Sequence, residues 1–294
     1  MKANTSMQYL NIAGFNILLD FDFNPFLEMK NFIPFIGKSQ EKQATDLCTI
    51  SVYPGREIKD IPVFVYSTTT ETGSYGIYQN DDLNIVIYQS AESGNKYRLL
   101  ADKTWKELTI DFVPTTSAES PTVLNLFLML AFIYSSSFHD TVLIHASSIK
   151  KEEEGFAFLG PSGIGKSTHS DLWLKYIPDA TLLNDDQPAV RIIGNKPYIY
   201  GTPWSGKRDY YRNERSQLQA LYKMEQAKEN RLKRLSAIDT FRLLLASASM
   251  IRHDKPTFNA ISQTLARLAG TVPGYHLQSR PEREAAEMSY NRDR

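Results

Sequence analysis

The chain has 294 residues, with 33 Lys and Arg against 33 Asp and Glu, so its formal net charge is zero. A composition of 42% hydrophobic and 22% charged residues excludes global disorder. Neutrality argues against nucleic acid as a partner, because duplex binding is driven by a basic field. The single cysteine, Cys48, excludes an internal disulfide framework and a multi-cysteine zinc site. The N-terminus lacks the apolar stretch of a secretory signal, and the most apolar run, 123–134, is too short to span a bilayer. The chain is therefore expected to be cytoplasmic, free of the membrane and built from about two domains.

Neutrality hides an asymmetry. Through Asp140 there are 10 basic and 16 acidic residues, and beyond it 23 basic and 17 acidic. An acidic first half and a basic second half fit two domains, the second handling an anion; unequal solvated faces are the plainer alternative.

From 8 to 113, short alternating or β-branched runs occur at 15–21, 47–53, 63–66, 76–79, 83–89, 97–101 and 108–113. Glu-Thr-Gly-Ser, Asn-Asp-Asp and Glu-Ser-Gly-Asn separate some of them, which is good hairpin chemistry. These runs predict a smaller β-rich N-terminal domain of meander type over 1–118, with no catalytic cluster. Residues 120–138 predict a buried helix, apolar nearly all round and opened by Ser120-Pro121.

Strands are expected at 141–149, 156–159 and 180–183, then as a hairpin of 189–193 and 198–200 across Gly194-Asn195-Lys196. After Asp209 the pattern reads as helical, through Leu218, Leu221 and Tyr222 and later Phe241, Leu243, Leu244 and Leu245. Over 212–234, Arg212, Arg215, Lys223, Lys228, Arg231, Lys233 and Arg234 interleave with leucines. That predicts an amphipathic helix with a basic face, solvated or able to dock an acidic partner. The second domain, 119–294, is thus α/β.

Its chemistry begins at a glycine-rich loop. Gly160, Pro161, Ser162, Gly163, Ile164, Gly165, Lys166 and Ser167 match G-x-x-x-x-G-K-[ST] in succession. Glycines let backbone N–H groups curl round phosphate oxygens, Lys166 reaches the β- and γ-phosphates, and the Ser167 hydroxyl ligates Mg²⁺. The following helix, with Thr168 in its first turn, presents its dipole to the same anion. A strand at 155–159 and a helix at 167–176 supply the flanks this loop requires. These residues predict a nucleotide site for ATP or another nucleoside triphosphate.

Paired carboxylates follow. Asp185 and Asp186 end a predicted strand, 19 and 20 residues after Lys166. Open α/β sheets bind ligands beyond the carboxyl ends of their strands, so the pair is expected to face the phosphates from a turn. One acid can hold Mg²⁺ while the other accepts a hydroxyl proton. An Asx-turn before Gln187-Pro188 is the simpler alternative. His145 taken alone reads more often as a core histidine satisfied by backbone than as a site residue. The loop 201–207 offers Lys207 as a phosphate clamp and Trp204 as a face for substrate or base, and otherwise reads as a plain Pro-Gly turn.

On these residues the second half resembles the HPr kinase/phosphorylase group of P-loop kinases, which is related to phosphoenolpyruvate carboxykinase. The match rests on Ser162 within the loop, on the distance from the loop to Asp185-Asp186, and on His145, 15 residues before Gly160. It is best over 141–207. Leu183-Asn184-Asp185-Asp186, the run Tyr200 through Lys207 and the segment 272–277 are shared with HPr-kinase-like proteins of unknown substrate. The resemblance implies a P-loop kinase domain of the HPr kinase/phosphoenolpyruvate carboxykinase type. It implies Asp185 as general base, Asp186 and Ser167 as Mg²⁺ ligands, and His145 near the transferred phosphate. HPr kinases place an Arg- and Gly-rich stretch after the aspartates where this chain has 201–207, so the acceptor is left open.

Three function classes compete. The first is an ATP/Mg²⁺-dependent kinase acting on a hydroxyl, a serine in the first instance, of a protein, peptide or small molecule. The second is a nucleotide-sensing or assembly module without transfer. The third is a carboxykinase, for which the chain is short and lacks a second metal cluster in its sequence. A homo-oligomer is compatible with each.

Overall fold

The computed structural model describes residues 7–37, 44–58, 60, 62–112, 119–206, 208–250, 252 and 254–292. It divides into two compact units, Met1–Ser136 with Ile251–Lys255, and Ser137–Met250 with Pro256–Arg294. The division falls after Ser136 instead of the expected 118/119, which leaves the long apolar helix in the first unit.

The first unit holds β1 (Gln8–Ile12), β2 (Phe15–Asp20), β3 (Ile36–Gly37), β4 (Thr45–Val52), β5 (Val63–Thr69), β6 (Gly73–Gln79), β7 (Leu83–Ser90), β8 (Lys96–Asp102) and β9 (Glu107–Asp111). They form one sheet in the order β3-β1-β2-β4-β9-β8-β7-β6-β5. β5 to β9 are the predicted meander, antiparallel throughout. β4 is parallel to both β9 and β2, so the sheet is mixed. Alternation shows in β2, where Phe15, Ile17 and Leu19 are buried.

α1 (Glu119–Ser137) belongs with this sheet. Phe127, Leu128, Ala131 and Phe132 are buried, Tyr134 stacks on Trp105 with centroids 3.9 Å apart, and Ser135 Oγ donates to the Trp105 carbonyl at 2.6 Å. The sequence suggested an apolar run too short for a bilayer. The helix is instead 19 residues long with a window of mean hydropathy 1.3, long and apolar enough to cross one by length and composition. Of that window, 67% is buried inside the protein.

The second unit contains β10 (Thr141–Leu143), β11 (Ala146–Lys151), β12 (Glu154–Leu159), α2 (Lys166–Tyr176), β13 (Ala180–Asn184), β14 (Ala189–Ile193), β15 (Lys196–Tyr200), β16 (Arg215–Gln226), β17 (Arg231–Arg234), α3 (Ala237–Ser247), α4 (Lys255–Thr271), β18 (Gly274–Ser279) and α5 (Arg283–Tyr290). The sheet order is β10-β14-β15-β16-β12-β11-β13, with β18 beside the second half of β16 and β17 outside β18. Under α2 and α5, Trp173 is fully buried with Phe156, Phe158, Tyr222 and Leu277. Under α3 and α4, Leu244, Leu265 and Leu268 pack on Ala157, Leu159 and Leu221. Each large apolar side chain so buried contributes about 1.5–3 kcal/mol of transfer free energy. This is a mixed α/β fold with helices on both sheet faces.

Two expectations need correction. The single strand at 141–149 is two, β10 and β11, which pair with different neighbours and leave Ile144 and His145 at the break. The basic helix over 212–234 is absent, and the segment forms β16 and β17. Leu218, Leu221 and Tyr222 fit a helical period, but Leu218 and Leu221 share one sheet face across a bulge after Leu218, while Ala220, Tyr222 and Met224 alternate onto the other. β16 is flanked by β12 on one side and by β15 and β18 on the other, so tertiary pairing decides the conformation.

Strand direction sets where a ligand can sit. β12, β16 and β18 are mutually parallel, and β13 points the same way across the antiparallel β11. Their carboxyl ends therefore lie at one end of the sheet, where β11 begins. Open α/β sheets take ligands there.

Candidate functional site

β12 passes through 160–165 directly into α2, which is the strand, loop and helix order expected for the glycine motif. Gly165 caps α2 with φ at +107°, and its Cβ would meet open space. Backbone conformation alone, and not crowding, demands glycine there. Pro161, Ser162, Gly163 and Thr168 are exposed; Ile164, Gly165 and Ser167 are half-buried. The helix start offers backbone N–H groups and the positive dipole end to an anion.

Lys166 curls back over this loop. Its Nζ donates to the carbonyls of Gly160 at 2.9 Å and Pro161 at 3.1 Å, and meets His145 Nε2 at 2.9 Å. An ammonium only donates, so Nε2 accepts and the ring proton sits on Nδ1. That nitrogen faces Asp186 Oδ1 at 2.8 Å, which makes Lys166, His145 and Asp186 one continuous chain of contacts. Burial pulls the Lys166 pKa down, and Asp186 and Asp185 oppose it. His145 reaches this position because it lies at the break before β11, with its N–H on the Ser247 carbonyl at 2.7 Å. Its side chain is 37% exposed and bonded through both ring nitrogens to Lys166 and Asp186, so the core-histidine alternative does not hold.

The aspartates are placed by Asn184, fully buried at the end of β13. Its Oδ1 accepts the N–H groups of Asp186 and Gln187, both at 2.9 Å, which makes Asn184 the Asx-turn residue. The alternative offered for the aspartates thus describes their neighbour. Asp185 turns toward α2. Its Oδ1 accepts from Ser147 Oγ at 2.7 Å, Ser147 lies 2.6 Å from Ser170 Oγ, and Oδ2 is 3.3 Å from Arg208 Nε. The Asp185 side chain is 4% exposed and that of Asp186 33%.

The segment 201–206 packs on this bend. A Cβ on Gly201 would stand 2.0 Å from the Arg212 carbonyl, so only glycine permits the approach. Asn184 Nδ2 donates to the Thr202 carbonyl and Oγ1 at 3.2 Å and to the Trp204 carbonyl at 3.3 Å. Trp204 is buried and braces the bend, instead of presenting a face to a ligand as expected. Lys207, the expected phosphate clamp, lies outside the described residues. The cation that does reach the site is Arg208, which sequence reasoning missed. It holds Asp171 on α2 through two bonds of 2.7 Å and the Ser167 carbonyl at 3.4 Å. Its position next to the 201–207 run was the available signal; Ser147 and Ser170 carried none.

Behind the loop, His169 is buried 3.0 Å from Ser289 Oγ of α5, which also accepts from Trp173 Nε1 at 2.8 Å. Burial pushes the His169 pKa down to about 4. The folded value lies below the free value of about 6.5, so the neutral ring's contribution is complete above that pH and is lost as pH falls toward 4. The loss is about 3 kcal/mol by pH 4. Urea unfolding at pH 7, 5.5 and 4.5 checks this: the acid-side slope should shrink in His169→Gln, and an equal slope in both proteins would exclude His169 as its source.

Two cavities flank the loop within this unit. One of about 340 Å³ is lined by Gly165, Thr168, Leu172, Gln226 and Arg280, at the ends of the parallel strands. The other, about 480 Å³, lies between His145, Gly160 and α3. No group of three His, Cys, Asp or Glu side chains surrounds a cation position among the described residues. Mg²⁺ beside a nucleotide needs only one or two protein oxygens, with phosphates and water completing the shell. Ser167 and Asp186 are oxygen donors accessible at the same end of the sheet, so the donor set fits. No protein-family model matches the chain, and no curated protein shows significant similarity to it.

Proposed function

We propose that the second unit is a P-loop kinase of the HPr kinase/phosphoenolpyruvate carboxykinase type, transferring a γ-phosphoryl group to the hydroxyl of a protein, peptide or metabolite. One observation carries this reading. Lys166, His145 and Asp186 form one chain of contacts, with Asp185 beside it, at the strand end that enters the glycine loop.

The nucleoside triphosphate is the phosphoryl donor. The loop's backbone donors and the α2 N-terminus receive its polyphosphate, and Lys166 exchanges the carbonyls of Gly160 and Pro161 for phosphate oxygens. The nucleoside fits the cavity beside Gly165 and Thr168. Ser167 and Asp186 would hold Mg²⁺, which supplies charge neutralisation when bound. Asp185 accepts the proton of the acceptor hydroxyl as that oxygen bonds to phosphorus and the bond to the β-phosphate oxygen breaks. Arg208 gives up Asp185 for the phosphate charge in the same event.

A nucleotide sensor without transfer is the second reading, favoured by the shielding of Asp185 under Ser147 and Arg208. Incubation with γ-labelled ATP, Mg²⁺ and a cell lysate separates the two. The kinase puts label on a protein or metabolite. Tight calorimetric binding of nucleotide with no label transferred and no ADP formed would leave the sensor.

A further inference from the structure

The cavity between His145 and α3 has apolar walls, Leu235, Leu243 and Ala246, and its mouth carries Lys223, Arg242 and Asp239. Strand register extends this mouth. Lys223 of β16 pairs with His276 of β18, which pairs with Lys233 of β17, so the three side chains share one sheet face. The opposite face carries Tyr222, Tyr275 and Leu277, all in the core. Leu235, two residues past Lys233 and so on the same side, lines the cavity. The row spans three strands, roughly 10 Å, and runs out of the cavity along the sheet.

The carboxylates near this row, Glu225 and Asp239, feel the Lys223 charge and are hydrogen-bonded by other groups. Glu225 accepts from Gln278 and lies 2.8 Å from His276 Nε2, and Asp239 is held by Ser236 and Arg242. Lys233 is exposed and has no carboxylate partner among the described residues. Charges on an edge strand such as β17 deter unwanted pairing. That purpose does not account for Lys223, because β16 has a neighbour on both sides there.

We propose that this face docks an acidic peptide segment whose hydroxyl-bearing residue enters the cavity toward His145. The proposal rests on the kinase reading of the adjoining loop. The site wants a peptide and not a small acid because the row continues beyond the cavity walls to Lys233, where only a chain of several residues reaches it. A positive mouth also raises the encounter rate of such a segment.

The test uses fluorescein-labelled peptides of equal length, each with one serine, flanked by Glu or by Lys. Anisotropy measures their binding to the full chain and to Lys223→Glu and Lys233→Glu, and fluorescent ADP binding is measured on the same samples. The Glu-flanked peptide should bind about tenfold tighter, and high salt should erase the difference. Each reversal should cut that preference several-fold and strengthen the Lys-flanked peptide, a gain that misfolding cannot produce. Equal binding of the two peptides to a chain that binds ADP overturns the docking face alone. Charge preference without any ADP binding supports the face and removes the kinase reading. Full displacement of the acidic peptide by citrate at comparable concentration overturns the need for an extended segment.

Discussion

Asp185→Asn is expected to lower phosphoryl transfer by about 10²–10⁴-fold while nucleotide affinity stays within about threefold. The substitution keeps volume and removes the charge that would receive the hydroxyl proton. An amide can still accept from Ser147 Oγ through one oxygen, but its NH₂ then confronts Arg208, itself only a donor. The bend itself should survive, because it is built by Asn184 and the Thr202 and Trp204 carbonyls. Single-turnover transfer and calorimetric nucleotide binding, measured together, separate proton acceptance from binding. Undiminished turnover in the variant would falsify the base assignment.

Lys166→Ala should act earlier, on binding itself. Removing one member of a desolvated charge contact typically costs 2–5 kcal/mol, which is at least about thirtyfold in nucleotide affinity. Lys166 makes three contacts in this structure and is 8% exposed, with Asp186 and Asp185 holding its charge against burial. The variant leaves Asp186 and His145 without their cation, so a modest fall in melting temperature accompanies the loss. Lys166→Arg should not restore binding, since a planar fork cannot replace a compact ammonium in that curl. Nucleotide affinity equal to wild type would remove Lys166 from phosphate binding.

How far these residues could be read from sequence depends on how local their causes are. The glycine loop and α2 are local, set by Gly165 and a short apolar strand, and the hairpin β14–β15 is set by Gly194. The meander was visible because β5 to β9 are joined by turns of conventional composition. β16 was misread because its alternation is overlaid by Leu218 and Leu221, and only pairing with β12 and β18 resolves the period. The break at His145 was invisible, because 141–149 holds no Gly or Pro to mark it and the two halves differ in their partners. Ser147 and Arg208 reach Asp185 across long sequence separations, with Ser170 behind Ser147; only Arg208, next to the 201–207 run, had a neighbourhood that pointed to it. The motif residues were legible; the groups that hold them in place were not.

Arg208 joins Asp171 on α2 to Asp185 at the end of β13. One guanidinium therefore sets the state of two carboxylates on two different elements. A ligand anion that draws it away alters both ends, and thermodynamic reciprocity requires that whatever engages Asp185 must alter the affinity for that anion by the same factor. Couplings of this kind are typically about 1–3 kcal/mol. The two ligands of such a site should thus bind interdependently, so that saturation with one changes the dissociation constant of the other.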